Sequence, residues 1–176
     1  MEGHGGGSVR VTLPVEVRYA ETDQMGVVHH AVYVVWMEAA RVEFLRRLGM
    51  PYHELERSGI RLPVVELGVT YRAPASFGQV VAVSCELSGL ASRAASFRYA
   101  VEWNGRLLAE GYTRHVCCDL DGRVVPFPEN LRKLLEGARS PWSDGQREDA
   151  TAGSVGDGRI GVAGPRTPKP RATRRW

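Results

Sequence analysis

The stretch HAVYVVWMEAARVEFLRRL, residues 30–48, decides the fold class, because it is the one long helical pattern in a chain otherwise patterned for strands. Tyr33, Trp36, Met37, Ala40, Phe44 and Leu48 recur at steps of three and four, the spacing that stacks side chains on one face of a helix. Glu38, Arg41, Glu43, Arg46 and Arg47 fall mostly off that face, where solvent is expected. Trp36, Met37, Ala39, Ala40 and Phe44 form an apolar arc wide enough for a curved sheet to wrap. Gly49 and Pro51 end the pattern, since glycine accepts a left-handed cap and proline blocks continuation. At the usual rise, residues 30–48 span about 28 Å.

Strands flank this helix. VRVTLPVEVRY (9–19) alternates with a period of two through Val11, Leu13, Val15 and Val17. Pro14 lacks a ladder donor and places that strand at an edge or a bulge. Downstream, LPVVELGVTYR (62–72), QVVAVSCEL (79–87) and ASFRYAVEW (95–103) alternate in the same way. Asn104-Gly105 marks a tight hairpin into RLLAEGYTRHVCCDL (106–120), and Asp121-Gly122 marks a further turn. A turn of helix is expected around Tyr52–Arg57, and PENLRKLLEG (128–137) reads as a short helix with Pro128 near its start and Gly137 after its end. One strand, one long helix and four hairpin-linked strands predict an α+β domain: an antiparallel five-stranded sheet around one long helix.

The chain has 176 residues with 43% hydrophobic content, enough for one core. The expected division is a flexible N-terminus at 1–8, a domain at 9–137 and a disordered basic tail at 138–176. The net charge of +3 sits in that tail, which holds 8 Lys/Arg and 4 Asp/Glu, leaving 15 and 16 in the rest. A nearly neutral domain argues against nucleic-acid binding. No apolar run is long enough for a membrane span, and MEGHGGGSVRV lacks a secretory head, so a cytoplasmic location is expected. Cys85, Cys117 and Cys118 form no C-x-x-C pair and are expected to be buried free thiols. Strand alternation would send the thiols of Cys117 and Cys118 to opposite faces.

The chemistry concentrates in ETDQMGVVHHAVY (21–33). Asp23 lies in the turn before the helix, and Gly26 permits a conformation that a side chain resists. His30 falls at the helix start, where backbone N–H groups lack intrahelical partners and the macrodipole favours negative charge. A carboxylate beside such donors is the minimum equipment for hydrolysing an activated acyl group. The competing reading makes Asp23 an ordinary helix cap, although seven residues separate it from His30. Glu21 is expected to be solvated. Adjacent histidines on a helix point about 100° apart, which makes joint metal ligation by His29 and His30 awkward. Neither a nucleophilic cysteine nor a G-x-S-x-G serine elbow is supported.

YAETDQMGVVHHAVYVVWMEAAR (19–41) resembles the signature of the hot-dog-fold acyl-CoA thioesterases, most of all the 4-hydroxybenzoyl-CoA thioesterase type. VTYRAPASFGQVVAV (69–83) is similar to the same family's second strand region, and the likeness covers about residues 10–136. It implies a sheet wrapped around the long helix, subunits paired edge to edge as a homodimer or dimer of dimers, and a site at the interface. It implies Asp23 as the catalytic acid and the His30 backbone N–H as the group that polarises the thioester carbonyl. Gly26, Tyr33 and Trp36 are implied as substrate-binding positions, acyl-CoA as the substrate, and no metal or other cofactor. Val32 stands where relatives often carry Asn, and Gly78-Gln79 where they often carry acids. Two other readings stand beside hydrolysis: a non-catalytic acyl-CoA or lipid-binding module on the same fold, and an interaction protein whose basic tail recruits nucleic acid or an anionic membrane.

Overall fold

The computed structural model describes residues 9–139; the lead-in expected at 1–8 and nearly all of the tail expected from 138 onward lie outside them. The chain enters through β1 (Arg10–Glu16), which pairs on one side only, with β3 (Val80–Leu90). Pro14 stands opposite Ala82 on this edge strand, where a missing N–H is tolerated. A 3-10 turn (Tyr19–Glu21) and a loop lead to α1 (Val32–Arg47), and a short α2 (Tyr52–Arg57) follows. β2 (Val64–Tyr71), β3, β4 (Ala94–Trp103) and β5 (Arg106–Val116) complete an antiparallel sheet in the order β1-β3-β4-β5-β2. The passage through α1 and α2 thus carries the chain from one edge of the sheet to the other. α3 (Glu129–Gly137) closes the described part, with Leu131 and Leu135 buried.

The inner face of the sheet is built from register rows. Val11, Cys85, Tyr99 and Gly111 form one row; Val83, Val101 and Ala109 form another; Leu87, Phe97 and Thr113 form a third. The apolar members are buried beneath α1, and each large one contributes about 1.5–3 kcal/mol through burial. Phe44 meets Phe97 edge to face at 5.6 Å. Packing is tight at Gly111 of β5, which sits between the β2 backbone and the Met37 side chain of α1. A Cβ there would stand 2.8 Å from the Gly68 carbonyl oxygen and 2.9 Å from Met37 Cε. This is the hot-dog arrangement: one sheet curled around one helix. No helix among the described residues is long and apolar enough to cross a membrane.

Several local expectations need correction. α1 begins at Val32 and ends at Arg47, so His30 lies in the turn before the helix. Ala39 faces solvent, while Arg41 is buried, 5.7 Å from the centre of the Tyr52 ring and 3.9 Å from Glu38. Position 41 lies one residue past Ala40 and falls on the flank of the buried arc, where periodicity alone does not assign a side. β5 ends at Val116, and Cys118 forms isolated bridges with Arg61 and Val124. Both Cys117 and Cys118 are therefore buried, because strand alternation stops before it reaches them.

A buried hydrogen-bond chain crosses the inner face. Burial pushes His115 down to about 4, so the ring is neutral. The Leu62 carbonyl can only accept, which makes His115 Nδ1 the donor at 2.9 Å. Nε2 then accepts from the Thr113 hydroxyl at 2.8 Å, and Thr113 accepts from the Tyr99 hydroxyl at 2.7 Å. Four polar groups are satisfied in one direction, and the tautomer is fixed by the carbonyl at the end.

Candidate active site

The loop between β1 and α1 folds onto a buried carboxylate. Glu21, expected in solvent, is 7% exposed. It accepts hydrogen bonds from the Arg18 backbone N–H at 2.9 Å, the Arg18 guanidinium at 2.8 Å and the Trp36 indole at 3.3 Å. Burial works to raise its pKa, but these donors outweigh that effect and hold the carboxyl below the ordinary range. The Glu21 carbonyl also accepts from the His29 N–H at 2.9 Å. One residue thus ties the end of β1, the approach to α1 and the first turns of the helix together.

Around that anchor the loop makes a tight reversal. The Asp23 N–H donates to the Val27 carbonyl and the Gly26 N–H to the Asp23 carbonyl, both at 2.9 Å. Gly26 has φ +75°, a region that favours glycine. Thr22 bridges Val28, and the Val28 N–H donates to Ala75 in the segment after β2. Asp23 Oδ1 accepts from the Met25 N–H at 2.8 Å, while Oδ2 has no partner among the described residues. The carboxylate is therefore oriented through one oxygen and open through the other.

The helix approach offers the complementary group. The Val32 N–H donates to the His29 carbonyl, and the Ala31 N–H to His29 Nδ1 at 3.2 Å. The His30 N–H has no acceptor among the described residues. The His30 carbonyl accepts from the Tyr71 hydroxyl at 2.8 Å, which pins the turn to the end of β2. Asp23 and His30 line one cleft of about 360 Å³ with Tyr33, Tyr71, Arg72 and Met25. Tyr33 is buried, accepts from the Ala75 N–H at 3.1 Å through its hydroxyl, and meets Tyr71 edge to face at 5.2 Å. Burial raises the pKa of its phenol.

The sequence-chosen residues divide accordingly. Asp23, His30 and Tyr33 share the cleft wall. Gly26 shapes the turn that holds Asp23. Trp36 does not line the cleft; it packs against Tyr33 at 5.1 Å and binds Glu21 beneath the loop. Tyr71 and Arg72 also line the cleft but were not singled out from sequence. The Y-R-A-P run at 71–74 carried the available signal, because a proline just past a strand end marks where the backbone leaves the sheet.

A single long helix held by a five-stranded antiparallel sheet, with an acid-bearing loop at the helix start, defines a thioesterase-like hot-dog protein. Residues 17–135 match the family model of the thioesterase-like superfamily, and the chain belongs to that superfamily. YneP of Bacillus subtilis, provisionally named an acyl-CoA thioesterase, is 36% identical over 107 residues, which are 60% of this chain and 77% of YneP. The solved structure of the hypothetical protein TT1821 from Thermus thermophilus is 55% identical with a TM-score of 0.70, covering 73% of this chain and 96% of its own. The gentisyl-coenzyme A thioesterase BH1999 is 27% identical with a TM-score of 0.66, covering 70% of this chain and 98% of its own.

Proposed function

We propose that this protein hydrolyses acyl-CoA thioesters to the free acid and CoA, with Asp23 and the His30 backbone N–H as the catalytic groups. The observation that carries this reading is their juxtaposition: Asp23, whose carboxylate has one oxygen without a partner among the described residues, and His30, whose N–H has no acceptor among them, line the same cleft. The thioester carbonyl oxygen accepts from the His30 N–H, near the positive end of α1. Asp23 then follows one of two routes. As a base it takes a proton from water, whose oxygen attacks the carbonyl carbon. As a nucleophile it attacks the carbon itself, and water later hydrolyses the mixed anhydride. In both, the C–S electron pair leaves with sulfur as a thiolate, a good leaving group that needs little general-acid help.

Tyr33, Tyr71 and Met25 give the cleft aromatic and apolar walls, which suit an aryl or medium-chain acyl group. The name of the gentisyl-coenzyme A thioesterase supports the aryl choice. The test is thiol release from a panel of acyl-CoA esters by the protein and by Asp23→Asn, which keeps shape and removes charge. Turnover falls by a factor of hundreds or more. Turnover within a few-fold of the unaltered protein defeats the assignment, and binding of acyl-CoA without thiol release by the unaltered protein favours a binding module.

The same reading includes a homodimer. β2 is an edge strand with Val64, Val65, Leu67 and Tyr71 about half exposed, and Val35 of α1 is exposed as well. An apolar, unpaired edge is a hazard unless another chain covers it. Pairing of two β2 edges would continue the sheet and complete the wall beside Tyr71. Sedimentation of Leu67→Lys is expected to give monomer, and an unshifted dimer refutes the β2 pairing.

A further inference from the structure

Beyond Asp23 and the aromatic walls, the cleft holds one fixed positive charge, Arg72. Its position is well determined. The N–H groups of Arg72 and Ala73 both donate to the Leu108 carbonyl, at 2.8 and 3.0 Å, and Pro74 restricts the backbone that follows. The guanidinium reaches toward the outer face of the sheet, where Nε at 3.1 Å and Nη2 at 2.6 Å donate to a single oxygen of Glu110. Nη1 has no acceptor among the described residues, and the side chain is 56% exposed. Glu110 therefore orients the group through one edge and leaves the other edge toward solvent. Arg18, the cation nearest in sequence to the catalytic loop, is committed to Glu21.

We propose that Arg72 binds a phosphate of the substrate's nucleotide end and so selects phosphorylated thiol carriers over bare pantetheine. The assignment rests on the reading of this cleft as an acyl-CoA site. The acyl group must be shielded by apolar wall, whereas a half-exposed cation on the rim meets the part of the substrate that stays in solvent. A planar guanidinium with a free edge suits two phosphate oxygens. The exposed pair with Glu110 is weak enough to yield to a multiply charged ligand. CoA offers two phosphate sources, its diphosphate and its 3′-phosphate.

The test is calorimetric titration of the full chain with three non-hydrolysable thioethers: S-hexyl-CoA, S-hexyl-3′-dephospho-CoA and S-hexylpantetheine. Arg72→Ala is expected to weaken S-hexyl-CoA about tenfold, the scale of one charged hydrogen-bonding partner, and to leave S-hexylpantetheine unchanged. Equal weakening of the dephospho compound assigns the diphosphate; its sparing assigns the 3′-phosphate. Glu110→Gln, which removes the competing carboxylate, is expected to tighten S-hexyl-CoA two- to threefold by releasing the guanidinium. This second variant keeps the idea testable should Arg72→Ala not fold. Equal losses for S-hexyl-CoA and S-hexylpantetheine, no loss for either, or no binding of S-hexyl-CoA by the unaltered protein overturns the proposal. Arg72-dependent binding without thiol release from any acyl-CoA sinks hydrolysis alone; thiol release with Arg72-independent binding sinks the phosphate site alone.

Discussion

The hydroxyl of Tyr71, the last residue of β2, donates to the carbonyl of His30, two residues before α1, across 2.8 Å. That bond joins the edge of the sheet to the turn carrying the unpaired His30 N–H. It constrains the orientation of the peptide next to the proposed oxyanion donor, and such donors act only when they are already in place.

Tyr71→Phe removes this bond and keeps the ring that meets Tyr33. If the turn loses its alignment, kcat falls about tenfold while KM changes little, because the lost interaction serves the transition state. Steady-state thiol release checks it. A rise in KM with unchanged kcat would instead make Tyr71 a substrate-binding wall.

Glu21→Gln puts an amide where three donors meet one carboxylate. A loss of about 2 kcal/mol of stability is expected, the scale of a charged hydrogen bond and a mismatched buried donor. The pH dependence has a definite sign. The folded carboxyl lies below its ordinary value of 4.5, so its contribution is complete above that pH and disappears as pH falls through the folded value. Urea unfolding of the two proteins from pH 7 to pH 3 should show their difference shrinking at the acid end.

Gly111→Ala places a methyl against the Gly68 carbonyl and Met37. The backbone cannot retreat as a long side chain can, so about 1–3 kcal/mol of overpacking cost is expected. A chemical-denaturation midpoint unchanged from the unaltered protein would show that β2 and the Met37 side chain have room to shift.

His115 sets a second acid dependence. Above pH 6.5 the ring is neutral in folded and unfolded chains. Between 6.5 and about 4 the unfolded chain takes up a proton that the folded chain refuses, so stability falls as pH falls. The full effect is about 3 kcal/mol, and it levels off below pH 4. His115→Gln should flatten that part of the stability profile; an unchanged slope would assign it to other groups.

The long helix, the strands and the turn residues were legible in the sequence because each reports local geometry. A three- to four-residue period, strict alternation, and Asn104-Gly105 at φ 49° and 77° need no distant partner to be read. Pro14 announced an edge or a bulge in the same way, and β1 lies at an edge. Asp23 and His30 were legible as neighbours because they are close in sequence, on the one stretch that leads into the helix.

What depends on distant segments was not legible. Glu21 is buried because Trp36 and Arg18 converge on it, and the 3-10 turn at 19–21 breaks the alternation that would have placed it. On the helix, Arg41 is drawn inward on the flank of the buried face while Ala39, read as part of that face, stays exposed. β2 alternates like a half-buried strand, yet Val64, Val65, Leu67 and Tyr71 are about half exposed, because the sheet order puts it at the edge that α1 covers least. Tyr71 meets His30 across 41 residues of chain, and Arg72 joins the same cleft from the end of β2. By itself, then, the sequence determined the elements and the acid-bearing loop, since those follow from neighbours along the chain. Tertiary structure alone decided which strand became the open edge and which side chains close the cleft, since both follow from contacts that form only when the sheet assembles.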